Sequence, residues 1–335
     1  MKLVVYGNQD LETLEKWCVE IFSAVPNYQK PVLEYKEMPF DNTNYPGLWK
    51  IAPIKDEDHL IFVWTLDNFD PVYKSNPSKY YSHIFGFEGR DSLLSLLIDE
   101  GLALTLWAGG RTEMKLFTKF TINIKLTKKG LENYKDVVAY VFKYLQLVKK
   151  AGPSKELFED LKNTKHLKFD YQDKQRPLDM AVDLALNLQQ YAIEDAIRVE
   201  HLFEEYQPEL LQKTIDSFGL ENLRIVLKSK SLEKECDQVN KWYQAKYKSE
   251  PFPKEIVELY ENPAIEPKFS KKKLGLPPKN PFIPQNFELL AKDVKDLPEY
   301  PTKIRSSEFS EVYFKQDNHF KLPKTDIKVK LYTNE

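Results

Sequence analysis

Two hydrophobic periods alternate along this chain, and each predicts a different element. His59 to Leu66 (HLIFVWTL) is a short apolar run of the length a buried strand needs. Phe120, Ile122, Ile124 and Leu126 alternate with Thr121, Asn123 and Lys125, the period of two that a strand with one wet face requires. Thr127 then caps a long helix whose apolar stripe runs through Leu131, Val138, Val141, Phe142, Leu145 and Val148 and stops at Gly152-Pro153. Upstream, Pro77 to Phe85 and Ser92 to Ile98 carry two further helical patterns, the second ending at Gly101. From Ser154 to Gly219 the pattern is nearly all helical, with breaks at Arg176-Pro177 and Pro208, and Leu223 to Lys228 (LRIVLK) closes the unit as a strand.

The flanks read differently. Leu3 to Tyr6 has the length of a strand, Gly7-Asn8 a turn, and Asp10 caps a helix carrying Leu11, Leu14, Trp17 and Cys18 at helical spacing. Pro26 to Asn44 lacks a sustained period and reads as a connection. Pro251 to Asn286 holds many prolines and the lysine run Lys271 to Lys273, so it reads as an extended linker; beyond it, Val312-Tyr313-Phe314 and Ile327 to Leu331 are predicted strands. Strands, then a helical block, then a strand argue for an α+β structure with helices on one face of a mostly antiparallel sheet.

Composition narrows function by exclusion. Lys+Arg 49 against Asp+Glu 51 leaves a net charge of -2, so no bulk field selects nucleic acid or an anionic membrane. No stretch approaches the roughly 20 apolar residues of a membrane span. Cys18 and Cys236 give neither a disulfide framework nor metal-knuckle spacing, which fits a reducing, cytoplasmic setting. Five histidines are present, at 59, 83, 166, 201 and 319, and none has a second histidine at i+4. His201-Leu-Phe-Glu204-Glu205 comes nearest to a metal set, but such a stretch is more often a solvated face. No P-loop, dinucleotide loop or G-x-S-x-G elbow occurs.

Ile51-Ala-Pro-Ile-Lys55, Tyr73-Lys-Ser-Asn-Pro77, His83-Ile-Phe-Gly-Phe-Glu-Gly89, Ser92-Leu-Leu-Ser95, Gly109-Gly110, Asp173-Lys-Gln-Arg-Pro177, Asn280-Pro-Phe-Ile-Pro-Gln-Asn286 and Phe314-Lys-Gln-Asp317 follow one another in this order. Together they resemble the insulinase (M16) family of inverted-motif zinc metallopeptidases, in its insulin-degrading branch. The resemblance implies four related α+β domains forming two bowls around a chamber. Residues 1–35 would end the first, catalytic domain, 36–262 form the second M16-like domain, 263–288 link the halves, and 289–335 begin the third, middle domain. The family's zinc sits in H-x-x-E-H, absent here, so the resemblance implies zinc in the parent enzyme, no cofactor in this chain, and no peptide hydrolysis by this chain alone.

What the resemblance leaves to this chain is binding. In the family the second domain captures the substrate's N-terminus with a loop and an exposed strand edge, and the matching residues are His83, Gly86, Glu88, Gly89, Leu106, Trp107, Gly109 and Arg111. An unpaired strand edge can add a peptide strand, and a carboxylate such as Glu88 can take a terminal ammonium; the plainer reading of these glycines is turns and a bulge. Phe87 stands where the family carries a second histidine, Arg90-Asp91 where Pro-Gly is common, and Gly101 to Gly110 is one residue longer than in some members. Arg176 matches one arginine of a family patch that binds nucleotide triphosphate or other polyanions, although a surface ion pair explains it as well. Implied partners are a peptide substrate, the remaining parent domains, a nucleotide or polyanion, and a homo-oligomeric copy, with no nucleic acid and no membrane. A second reading of a different class is an inactive M16-like scaffold that binds peptides without protease activity.

Overall fold

Alternate residues of His59–Asp67 turn to opposite faces, and one set, Leu60, Phe62, Trp64 and Leu66, is almost wholly withdrawn from water. The computed structural model describes residues 2–31, 33, 35–40, 45–113, 115–264, 266, 273–289, 297–317, 319–320 and 322–333. In chain order these hold α1 (Leu11–Phe22), β1 (Gly47–Ala52), β2 (His59–Asp67), α2 (Pro77–Phe85), α3 (Leu93–Asp99), β3 (Ala103–Glu113), β4 (Phe117–Leu126), α4 (Lys128–Glu132), α5 (Tyr134–Ala151) and α6 (Lys155–Asp170). There follow α7 (Pro177–Asn187), α8 (Pro208–Asp216), β5 (Leu223–Lys228), β6 (Gln238–Val239), β7 (Lys246–Glu250), α9 (Lys254–Glu261), β8 (Thr302–Ser306) and β9 (Glu311–Phe314).

Seven strands make one sheet in the order β3-β4-β2-β5-β1-β7-β6. Every neighbouring pair is antiparallel except β1 and β5, which run parallel with Gly47 opposite Arg224. The architecture is the expected α+β layer on a mostly antiparallel sheet. Its core joins the buried set of β2 to α5, where Phe62 meets Phe142 edge-on at 6.0 Å, and to Phe218, 5.2 Å from Trp64 and 5.0 Å from Phe120. The Trp64 indole N–H is satisfied by the Gly219 carbonyl at 3.1 Å.

Local signals account for the helix ends. Asp10, Ser92, Thr127 and Ser154 each accept a backbone N–H three residues on, as N-caps do. Thr127 caps only the short α4, because the chain breaks at Asn133 before α5 begins. Gly152 ends α5 with φ +69, a conformation glycine adopts without strain.

Four expectations need correction. Between Asn187 and Gln207 there is no α-helix; turns and a 3-10 turn at Val199–His201 replace it, pinned by tertiary bonds to the buried Asp195 carboxylate. Lys74 at 3.0 Å, Arg198 at 3.1 Å and the Tyr73 hydroxyl at 2.8 Å surround Asp195, and the Lys74 hydrogen bond leads in holding its pKa below the ordinary carboxylate value. The stretch Pro251 to Asn286 contains α9, anchored by fully buried Ile256 against the core. Among the described residues neither Leu3–Tyr6 nor Ile327–Leu331 pairs into a sheet, and Leu3, Val5, Tyr6, Ile327, Val329 and Leu331 stay exposed, since strand propensity forms no ladder without a second strand. Trp242 and Tyr243, aromatic residues that core packing would ordinarily claim, are expected inside and are exposed, whereas Tyr247 stacks on Trp49 at 5.8 Å. Of the lysine run, Lys271 and Lys272 lie outside the described residues.

Candidate functional site

β3 is the last strand of the sheet: β4 pairs with it on one side and, among the described residues, no strand pairs on the other. A terminal strand presents a row of main-chain N–H and C=O groups that another extended chain can complete. Leu106 and Ala108 turn into the core, while Thr105, Trp107 and Arg111 turn outward. The register slips between Ala103 and Thr105, a bulge at Leu104.

Two glycines keep the strand slim. Trp107 is 60% exposed and its indole lies over Gly109, where a Cβ would sit 2.6 Å from Cζ2 of the ring. On the opposite face a Cβ at Gly110 would fall 2.1 Å from Ser78 Oγ of α2, so only glycine lets this helix approach the strand.

α2 delivers the Gly86–Asp91 loop to this edge. Pro77 starts the helix behind Asn76, whose side chain accepts the Lys79 N–H, and Gly86 ends it with its N–H on the Ser82 carbonyl. A Cβ at Gly86 would lie 3.8 Å from the Ala108 backbone nitrogen, which places the helix end directly against β3. Past Gly86, Phe87 folds over Gly89, leaving 2.4 Å between its ring and where a Cβ would sit, and Glu88 projects into solvent. Asp91 takes φ +66, the left-handed conformation that a glycine in its place would adopt freely. His83 faces Phe87 at 6.2 Å; burial pushes its imidazole below the ordinary histidine pKa, partly opposed by the Asp160 carboxylate.

The structure thus gathers His83, Gly86, Glu88 and Gly89 at the end of α2 beside the strand that carries Leu106, Trp107, Gly109 and Arg111. Arg176 stands apart at the start of α7, 84% exposed, its guanidinium forked onto Asp179 at 2.7 and 3.1 Å. A polyanion reaching it would have to displace Asp179. Phe87 and Asp91 were not among the expected site residues, though Phe87 followed by Gly89 and the Arg90-Asp91 substitution were the signals that could have found them.

The donor set does not suit zinc. Among the described residues no group of three or more His, Cys, Asp or Glu side chains is placed to hold a metal ion. Glu204 is engaged by Arg198 at 3.0 Å and Glu205 by Gln207 at 2.9 Å, while the His201 ring packs 5.7 Å from Phe169. No helix of the described residues is long and apolar enough to cross a membrane.

The class of protein is set first by its fold, helices layered on a mostly antiparallel sheet whose terminal strand β3 lies beside the loop that follows α2. The crystal structure of pitrilysin shares its fold, with TM-score 0.80, 21% identity, and 94% of this chain matched to 33% of that one. Residues 1–165 match the model described as the peptidase M16 inactive domain, and residues 169–335 that of the middle or third domain of peptidase M16. The chain belongs to the peptidase M16 family. Insulin-degrading enzyme of Bos taurus is 35% identical over 333 residues, 99% of this chain and 32% of that protein. Nardilysin of Homo sapiens is 32% identical over 338 residues, 99% of this chain and 29% of that protein. The chain spans about a third of the length of these relatives.

Proposed function

We propose that this chain is the substrate-capturing, non-hydrolytic portion of a zinc endopeptidase, and that it binds an extended peptide by strand addition along β3. The observation that carries this reading is the junction of a terminal strand with the α2 loop: Gly86 abuts Ala108, so an N-terminal residue laid along β3 arrives at Glu88. Main-chain hydrogen bonds supply sequence-tolerant affinity, Glu88 supplies the preference for a free amino terminus, and Trp107 supplies an apolar surface for one side chain. Hydrolysis belongs to a zinc site elsewhere in the longer protein, which fits the match of residues 1–165 to the inactive domain.

Calorimetric titration of the 335-residue chain with a strand-length peptide tests it. A free amino terminus should bind more tightly than the N-acetylated form, by about tenfold or 1.4 kcal/mol. Glu88→Lys should erase that preference, and Gly109→Trp should weaken both peptides by crowding the edge. Equal affinity for the two peptides in wild type, unaltered by both substitutions, would remove the reading.

A further inference from the structure

The segment after α9 returns to the site from the far side. Leu274 and Leu276 pack against the hydrophobic core, and between them the Gly275 N–H donates to the Asp91 carbonyl at 2.8 Å. Asp91 closes the loop that carries Glu88 and Gly89, and its left-handed backbone thereby gains a restraint from outside its own turn. Five residues on, the Asn280 N–H donates to Asp160 Oδ2 at 2.7 Å. Asp160 is a buried carboxylate of α6 whose charge is felt by His83. The same segment continues along α6, with Lys279 near Glu156 at 3.5 Å and Phe287 stacked on Tyr171 at 5.5 Å. The two halves of the capturing loop's support, Asp91 at its end and the Asp160 carboxylate near His83, are thus both held by one stretch of backbone.

We propose that Leu274–Asn280 is a positioning strap for the peptide-capturing loop, setting its affinity through the Gly275–Asp91 and Asn280–Asp160 hydrogen bonds. The inference rests on the reading of β3 as the capturing edge. Gly275 and Asn280 touch no peptide; they act by holding His83 and the Gly86–Asp91 loop in one geometry before the peptide arrives, so that binding does not have to order them. Because the strap is main chain, its N–H groups serve whatever side chains stand there, and proline is the substitution that removes them.

The test uses the whole chain with Asn280→Pro and Gly275→Pro, each deleting one donor, the first at an exposed and the second at a half-buried position, and Asp160→Ala paired with Asp160→Asn, which keeps an acceptor oxygen. Affinity for the free-amino-terminus peptide should fall about fivefold to tenfold in both proline variants and in Asp160→Ala, and recover in Asp160→Asn, with the melting temperature little changed. Amide exchange across Gly86–Asp91, read without peptide, should quicken in the proline variants. Unchanged exchange and unchanged affinity in both proline variants would overturn the strap, even where Glu88→Lys and Gly109→Trp behave as expected. If those two edge variants have no effect while exchange still quickens, the strap stands as a restraint on the loop and the capturing role is what fails.

Discussion

Helices α1 and α5 are built alike and end differently. Each has an apolar stripe at helical spacing, and α1 is the better capped of the two, with Asp10 accepting from both the backbone and the hydroxyl of Thr13. Yet α1 buries none of its residues, while α5 buries nine, from Val137 to Val148. Trp17 is 45% exposed in the first, and Phe142 is fully enclosed in the second. Capping and periodicity decide that a helix forms; a facing sheet decides whether its stripe leaves water, and only the second contributes on the scale of a domain's stability. The same contrast separates the β1 to β7 sheet from the β8–β9 hairpin, whose strand residues are all exposed.

Substitution can break that contrast or sharpen it. Phe142→Ala should cost the most, about 3–5 kcal/mol in chemical denaturation, because it opens a cavity between α5 and the sheet. Asp195→Ala should cost about 2–3 kcal/mol by removing the acceptor shared by Lys74, Arg198 and Tyr73. Since the folded-state pKa of Asp195 is depressed, its stabilisation is present above the unfolded carboxylate value near 3.8 and is lost as pH falls through the folded one. The gap between wild type and Asp195→Asn should accordingly close on acidification, and a gap that widens would contradict the pairing. Asp10→Ala should loosen α1 only locally, visible as faster exchange in α1 but not in the global transition. Trp17→Ala should change global stability least, by under about 0.5 kcal/mol; a loss as large as that of Phe142→Ala would mean α1 is packed after all.

How far the sequence reached follows the same division. The β2 and β5 strands and the caps at Asp10 and Thr127 were legible because their signals lie within a few residues. β3 was obscured by the bulge at Leu104 and by Gly109-Gly110, which interrupt its alternation, and it was found only through family resemblance. Residues 188–207 carried helical spacing but were claimed by partners far away: Lys74 for Asp195, and the Lys74 carbonyl for the amides of Glu204 and Glu205. Of the site, the side chains and glycines named by resemblance converge at one edge, whereas Asp160, Gly275 and Asn280 left no local mark. They are joined by two hydrogen bonds from main-chain N–H groups, Gly275 to the Asp91 carbonyl and Asn280 to the Asp160 carboxylate, and no short window of sequence contains both ends of either.

β5 enters the sheet between β2 and β1 although both of those strands precede it by well over a hundred positions. During synthesis on the ribosome, β2 must therefore wait with one flank open while all of α2 to α8 is made, and β1 has nothing to join it to β2 until that late arrival. The seam between the two family matches, residues 165–169, falls in this interval, inside α6. A nascent chain or a proteolytic piece ending there carries β1 to β4 but cannot close the sheet, and should be held by chaperones rather than accumulate as a soluble half.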